Sequence, residues 1–449
     1  MKKRILIHND NGRRDLLGLK FLERSLISLG FDVKFCNHGN MDSKVRTYIP
    51  HAIIVARGDN SMIKKCAGLC KIYIVPGEGG RQTKETMLSV FMGRASTKLD
   101  DVSWVSRCYL WNKNTEKWLL ETGLFNKNQL LVAGHPRLDI YRYSEQIRYQ
   151  QSKLKKKFRV GVAFSATGTS AYYGDLNYAE GYHKMPKDLE FPVAGPGRNQ
   201  EDILWRDHSI LRIMMNVIKD SMNSNVGEFW IRPNPLESIG AYKFLEKIYP
   251  GRVSIKKNQT LPEFLSNIDV LLTCYSTTGM EALLLGIPAI SITGIINKER
   301  LYEHISAEAC GFNTFVPFYH LPSTYDEVQN LLATAKTGKL KPSPKNTIEV
   351  NKLLKANYNW PSVTPTVDII AMDIQKDMEG YNGSKSAAWK KQVPLRYNLH
   401  PILYSFARWA ITIIRILKSN DRESYNMFMS SKNSQIEKLN KKISAWSKI

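Results

Sequence analysis

The sequence predicts an α/β fold: two Rossmann-like domains facing a cleft, followed by a basic helical extension. Three observations lead to it. Short Ile- and Val-rich runs without strict alternation recur through the first third of the 449 residues. Helix-like stretches, several closed by glycine, separate them. After a charged interruption at Tyr149–Lys157, a second series of the same kind begins. Unalternated apolar runs suit strands of a parallel sheet covered on both faces, and alternation of strands with helices implies βαβ units.

The first series predicts strands at Arg4–Asn9, Asp32–Cys36, Ala52–Ala56, Lys71–Val75, Trp104–Trp111 and Gln129–Ala133. Arg14–Leu29 reads as an amphipathic helix stopped by Gly30, and Asn114–Thr122 as one stopped by Gly123. The second series predicts strands at Phe158–Ser165, Glu228–Arg232, Val253–Lys256, Asp269–Tyr275 and Ala289–Thr293. Helices are expected at Ile210–Met222, Leu261–Ile268 and Gly279–Leu285. Residues 166–207 are rich in Gly, Tyr and Pro, and so long a loop in a compact domain is usually functional or disordered. The expected organisation is a first domain at 1–148, a second at 158–345, a helical return segment at 346–396 and a basic tail at 397–449. There are no internal repeats.

Composition narrows the class. Lys and Arg number 64 against 41 Asp and Glu, a net charge of +23, which points to an anionic partner. The six cysteines are scattered, with no zinc spacing, and suit a reducing compartment. Met1–Arg4 leads straight into a strand without the apolar core of a signal peptide, and no uncharged apolar stretch reaches the length of a spanning helix.

Four motifs carry candidate chemistry. "IVPGEGGR" (Ile74–Arg81) places Glu78 among Gly77, Gly79 and Gly80 at the end of a buried run, with Arg81 following. In an open α/β sheet ligands bind beyond the carboxyl ends of strands, so Glu78 can be a presented carboxylate; a solvated loop Glu is the plainer alternative. "VAGHPRLD" (Val132–Asp139) offers His135, Arg137 and Asp139 after another strand, or simply a loop histidine and a surface ion pair. "FWIRPNPLES" (Phe229–Ser238) delivers Arg232 and a rigid Pro233-Asn234-Pro235 turn. Arg232 can grip phosphate with two N–H groups, or lie idle on the surface. In "DVLLTCYSTTGMEALLLGIPAISITG" (Asp269–Gly294) a buried strand runs into Ser276, Thr277, Thr278 and Gly279, with Glu281 in the first helical turn. Hydroxyls and N–H groups there can bind an anion, with Gly279 giving a ligand access to the backbone; the alternative is a plain helix cap.

Taken in order, "PGEGG", "GHPRLD", "RPNP" and "STTGMEALLLGIPAI" resemble the bacterial surface carbohydrate biosynthesis proteins. These are similar to GT-B glycosyltransferases of capsule and lipopolysaccharide assembly, including β-Kdo transferases and, more distantly, bacterial sialyltransferases. The resemblance spans roughly the first 300 residues and is most specific at Ser276–Pro288. It implies that Glu78, next to Gly79, is the catalytic carboxylate; Asp139, which also follows a strand end in the first domain, is the second candidate. It implies nucleotide binding by Arg232, Asn234, Pro235, Ser276, Thr277, Thr278, Gly279 and Glu281, the last on the ribose hydroxyls. Asn234-Pro235 stands where the family carries His-Pro, so the side chain there can donate a hydrogen bond but brings no positive charge. Gly79, Gly80, Arg81, His135 and Arg137 are expected to line the substrate site.

The expected activity is transfer of a sugar from a nucleotide donor, CMP-linked by the resemblance, to a lipid-linked surface polysaccharide. One carboxylate takes the acceptor proton, and positive groups and N–H dipoles stabilise the departing phosphate. The sequence has no Asp-X-Asp, so neither metal nor other cofactor is expected. Transfer of a polyol phosphate from a CDP-linked donor, as in teichoic-acid synthesis, is the alternative within the fold; a non-catalytic membrane-docked scaffold is the alternative outside it. From Pro401, residues Ile402, Leu403, Phe406, Trp409, Ile413, Ile414 and Leu417 recur at helical spacing opposite Arg408 and Arg415, as in a helix lying on an anionic membrane. The protein is therefore expected on the cytoplasmic face of the membrane. Dispersed lysines without a recognition motif argue against nucleic acid as the partner.

Overall fold

The computed structural model describes residues 2–392, apart from 10–14, 38–39, 59–64, 78–83, 93–100, 148–156, 165–199, 235–239, 257, 275, 296–317, 343, 384–387 and 390–391. The chain forms two units. Unit 1 comprises Met1–Arg142 together with the described part of the chain from Asn351, and unit 2 comprises Tyr143–Val350.

Unit 1 is built on a six-stranded sheet of β1 (Arg4–His8), β2 (Asp32–Cys36), β3 (Ala52–Val55), β4 (Lys71–Ile74), β5 (Arg107–Leu110) and β6 (Leu130–Val132), in the order β2-β1-β3-β4-β5-β6. Every pairing is parallel, for example Ile5 opposite Val33 on one side and Ala52 on the other. Ile5, Leu6, Ile7, Ile53, Ile72 and Tyr73 are fully buried in consecutive positions, which is why these strands read as unbroken apolar runs. Helices α1 (Leu16–Ser28), α2 (Met41–Tyr48), α3 (Lys84–Met92) and α4 (Lys113–Glu121) connect the strands. The chain direction across the sheet reverses between β1 and β3, since β2 lies on one side of β1 and all later strands on the other.

Unit 2 carries a five-stranded parallel sheet of β7 (Arg159–Val162), β8 (Glu228–Ile231), β9 (Val253–Ile255), β10 (Val270–Thr273) and β11 (Ala289–Ser291), ordered β11-β10-β7-β8-β9. Its helices are α5 (Gln200–Asn223), α6 (Gly240–Ile248), α7 (Leu261–Ser266), α8 (Thr278–Leu284) and α9 (Tyr325–Lys336). Helix α5 starts ten residues before the periodic stretch that marked it, because after Gly197 no Gly or Pro interrupts the chain. In this sheet the direction reverses between β7 and β10.

Helix α10 (Pro344–Tyr358) carries the chain out of unit 2, and α11 (Thr366–Asp377) belongs to unit 1. Polar bonds fasten α11 to that unit. The hydroxyls of Tyr109 and Tyr73 donate to Asp373 (2.9 Å) and Asp377 (2.8 Å). Arg107 pairs with Asp373 (3.0 Å), and Ser25 on α1 donates to Asp368 (2.6 Å). Burial and the facing carboxylates push both tyrosine phenols well above their ordinary value, so they stay protonated and keep donating. No described helix is long and apolar enough to cross a membrane, and the sequence-predicted interfacial helix at 402–417 lies outside the described residues.

Candidate functional sites at the strand ends

The carboxyl ends of a parallel sheet, near the point where its strand order reverses, are where the loops diverge and leave a crevice. In unit 2 that point lies between β7 and β10; one of the four motifs follows β10, and another follows β8 on the other side of β7. Strand β8 delivers Arg232, whose backbone N–H donates to the Val162 carbonyl (2.9 Å) and so keeps it in line with the sheet. Arg232 and Asn234 are both half-buried. Strand β10 delivers Ser276, Thr277 and Thr278. As β8 and β10 flank β7, the two groups emerge two strand spacings apart, about 10 Å.

The turn after β10 is held by its own hydroxyls. Ser276 Oγ accepts the Thr278 N–H (3.2 Å) and donates to Thr278 Oγ1 (3.0 Å), and the Ser276 carbonyl accepts the Gly279 N–H (3.0 Å). Thr277, at the cap position of the seven-residue α8, makes no capping bond with its side chain. Thr277 and Ser276 are half-buried; Thr278 and Glu281 are buried. Gly279 has a packing role beside the expected one. A Cβ there would run into the ring and hydroxyl of Tyr319, a buried residue of the segment that pairs with β11 through His320. The missing side chain makes room for Tyr319, which by itself accounts for a glycine here. Pro235 lies outside the described residues.

In unit 1, Glu78, Gly79, Gly80 and Arg81 also lie outside the described residues, but the chain leading to them does not. Gly77 follows β4 with the Asp15 carboxylate standing 2.5 Å from where its Cβ would be. Asp15, together with His8 and Asn9 at the end of β1, is buried, and all three sit toward the carboxyl side of the sheet. These three polar groups were missed from the sequence. The available signal for His8 and Asn9 was the polar run "HNDNG" directly after an apolar strand; Asp15 lies three residues beyond it.

Asp139 has a structural occupation. It lies in a 3₁₀ turn (Pro136–Tyr143) and is only 2% exposed. Its carboxylate accepts the Val367 N–H (2.9 Å) and pairs with Arg142 (3.2 Å). Arg142 in turn donates to the Ser362 carbonyl (2.7 Å) and the Ser362 hydroxyl (2.8 Å). The carboxylate thus caps the start of α11 and holds the returning chain. Burial pushes its carboxyl above the ordinary value, against the pull of the Val367 amide and Arg142. His135 is likewise buried, its ring stacked on Trp111 at 4.5 Å and its Nδ1 accepting the Arg137 N–H (3.3 Å). Arg137 is half-buried. Among the described residues, no group of three His, Cys, Asp or Glu is placed to hold a metal ion.

No protein-family model and no curated protein matches this chain. Solved structures do. The wall teichoic acid polymerase TagF, as a variant soaked with CDPG, superposes with a TM-score of 0.53 at 12% identity, over 84% of this chain and 90% of that one. TagF itself gives 0.52 at 11% identity over the same shares. The UDP-GlcNAc 2-epimerase of Methanocaldococcus jannaschii matches more loosely, with a TM-score of 0.45 at 12% identity over 84% of this chain and all of that one. The two parallel sheets with their helices make this chain a GT-B-type α/β fold.

Proposed function

We propose that the chain is a GT-B transferase that moves a sugar from a cytidine-nucleotide donor to a lipid-linked surface glycan, without a metal ion. The observation that supports this reading is the placement of Arg232 after β8 and of the hydroxyl turn Ser276–Thr278 after β10, at the carboxyl ends of the two strands that flank β7. A guanidinium and several hydroxyls suit a phosphate. In the proposed reaction Glu78 takes the proton of the acceptor hydroxyl. The acceptor oxygen bonds to the anomeric carbon as the bond from that carbon to the phosphate oxygen breaks, and CMP leaves. Arg232 and the turn stabilise the charge gathering on that phosphate. Asn234, Pro235 and Glu281 are assigned to the nucleotide, and Gly79, Gly80, Arg81 and Arg137 to the acceptor side. His135 and Asp139 are assigned to holding unit 1 together.

A second reading is favoured by the likeness to TagF, a structure of which was soaked with CDPG. Here the donor is a CDP-linked polyol, the bond broken is the phosphoanhydride, and a polyol phosphate is transferred while CMP again departs. The net charge of +23 and the basic tail fit an acceptor held at an anionic membrane and support a cytoplasmic-face assignment in either reading.

The test is incubation of the purified chain with cytidine-linked sugars and CDP-polyols plus a lipid-linked glycan, with CMP release and product mass measured in the presence of EDTA. CMP release with a phosphorus-free mass increment supports the first reading, and an increment containing phosphate supports the second. Binding of donor without turnover on any acceptor would leave a scaffold. Loss of turnover on chelation, restored by magnesium, would overturn the metal-free mechanism.

A further inference from the structure

The backbone ladder joining β7 to β10 stops just short of the turn that the proposed function assigns to the donor phosphate. Register pairs run from Val270 opposite Val160 to Leu272 opposite Val162, and the Ala163 N–H still reaches the Leu272 carbonyl (3.1 Å). Beyond that point, side chains take over. Thr273 Oγ1 donates to the Ala163 carbonyl (2.6 Å), and Ser291 Oγ, on the strand at the other side, donates to the Cys274 carbonyl (2.6 Å). Thr273 and Ser291 are themselves register partners of β10 and β11, and both are completely shielded from solvent. Ser291 is also joined to Thr293, through the two hydroxyls (3.0 Å) and through the Thr293 N–H (3.4 Å). Two short hydroxyl bonds therefore clamp the last residues of β10 to its neighbours on either side, one and two residues beyond the ladder. Only Tyr275 separates the clamped Cys274 carbonyl from Ser276.

We propose that Thr273 and Ser291 are positioning residues for the donor phosphate: they fix where β10 releases the chain, and so where Ser276, Thr277 and Thr278 present their hydroxyls. This rests on the nucleotide-site reading of that turn. A Ser276–Thr278 turn held by its internal bonds alone keeps its shape but not its place relative to Arg232; Arg232 is tied to β7 through Val162, and past Leu272 the Thr273 hydroxyl continues the tie of β10 to β7. The Thr273 hydroxyl links the two halves of the phosphate site through one strand. The plainer role, satisfying two buried hydroxyls and two carbonyls for stability alone, requires the same bonds but makes no demand on ligand affinity.

The two roles separate by measuring nucleotide and nucleoside side by side. Cytidine, CMP and CDP are titrated into the wild type and into Thr273→Val, Thr273→Ser and Ser291→Ala, with thermal melting as a control for folding. Thr273→Val keeps the shape and loses the hydroxyl, whereas Thr273→Ser keeps the hydroxyl and loses a methyl group. The expected result is CMP and CDP binding weakened about fivefold or more in Thr273→Val and Ser291→Ala, the scale of one hydrogen bond. CMP affinity in Thr273→Ser should stay near that of the wild type, and cytidine affinity should not change in any variant. The proposal is overturned if Thr273→Val binds CMP as the wild type does, if Thr273→Ser loses as much affinity as Thr273→Val, or if CMP and cytidine weaken together. Failure of the underlying site reading looks different: the wild type itself would bind CMP no better than cytidine, which removes the ground for both.

Discussion

Replacing Asp139 separates the two tasks that its position after β6 leaves open. In Asp139→Ala the Val367 N–H loses the carboxylate that caps α11, and Arg142 loses its ion pair while still bound to Ser362. A helix cap is worth about 1 kcal/mol, and each hydrogen bond to a charged group about 1.5–3 kcal/mol. These overlap, and burial outweighs them for the carboxylate itself, so the loss of about 3 kcal/mol expected on truncation comes from the amide and the Arg142 guanidinium left without their partner, within the range for breaking a buried pair. For a unit of this size that lowers the melting temperature by about 6–12 °C. The assay is calorimetric melting beside turnover at a temperature where the variant is still folded. Asp139→Asn, which keeps the shape and can still accept the Val367 amide, should fall in between. A large drop in melting temperature with turnover retained fits the capping role. Turnover abolished at unchanged stability would refute it and return Asp139 to the acceptor proton.

Gly279→Ala should destabilise unit 2, since the added Cβ meets the Tyr319 ring, and Tyr319→Leu should restore most of the melting temperature in the double variant; no rescue would mean that Gly279 is required for another reason. His51 accepts the Arg4 N–H on Nδ1 (3.1 Å), and burial, with Arg4 and Lys3 nearby, holds its imidazole below the usual value. The unfolded chain therefore takes up a proton first as pH falls below about 6.5, so this contribution is present above that pH and is lost as pH drops through the lower folded value. Chemical denaturation of His51→Gln between pH 7 and 5 should show a flatter stability profile than the wild type, and an equally steep one would contradict the assignment. Removal of residues 397–449 should abolish co-sedimentation with anionic vesicles and leave both units melting as before; unchanged co-sedimentation would disprove the membrane role of the tail.

The strands were legible because parallel strands covered on both faces leave a mark in the sequence that needs no partner: Ile72, Tyr73 and Ile74 are apolar in succession because all three are buried. Helix α2 was legible but overlooked, as Met41, Val45 and Tyr48, all buried, stand at helical spacing within an otherwise polar stretch. What holds α11 to unit 1 was not legible. Tyr73 and Tyr109 read as core residues, and the carboxylates they bind lie 304 and 264 positions later. Asp139 looked like a candidate base for the same reason that it serves as a clasp: it sits just past a strand end, and the amide it caps arrives 228 residues further on. In unit 2 the hydroxyl turn was legible from its composition, whereas the role of Gly279 depends on Tyr319, forty residues away in sequence and brought alongside by a pairing with β11. Local chemistry at strand ends is written locally, and whether a polar group there meets a ligand or a returning segment of the chain is decided by distant residues.

The central claim is that unit 2 binds the phosphate of a cytidine nucleotide between Arg232 and the Ser276–Thr278 turn. Calorimetric titration of CMP into the wild type, into Arg232→Ala and into Ser276→Ala with Thr277→Ala tests it directly. Each lost hydrogen bond to a charged phosphate removes about 1.5–3 kcal/mol, so both variants should bind CMP at least tenfold more weakly while cytidine binds as before. Equal CMP affinity in the wild type and both variants would contradict the claim.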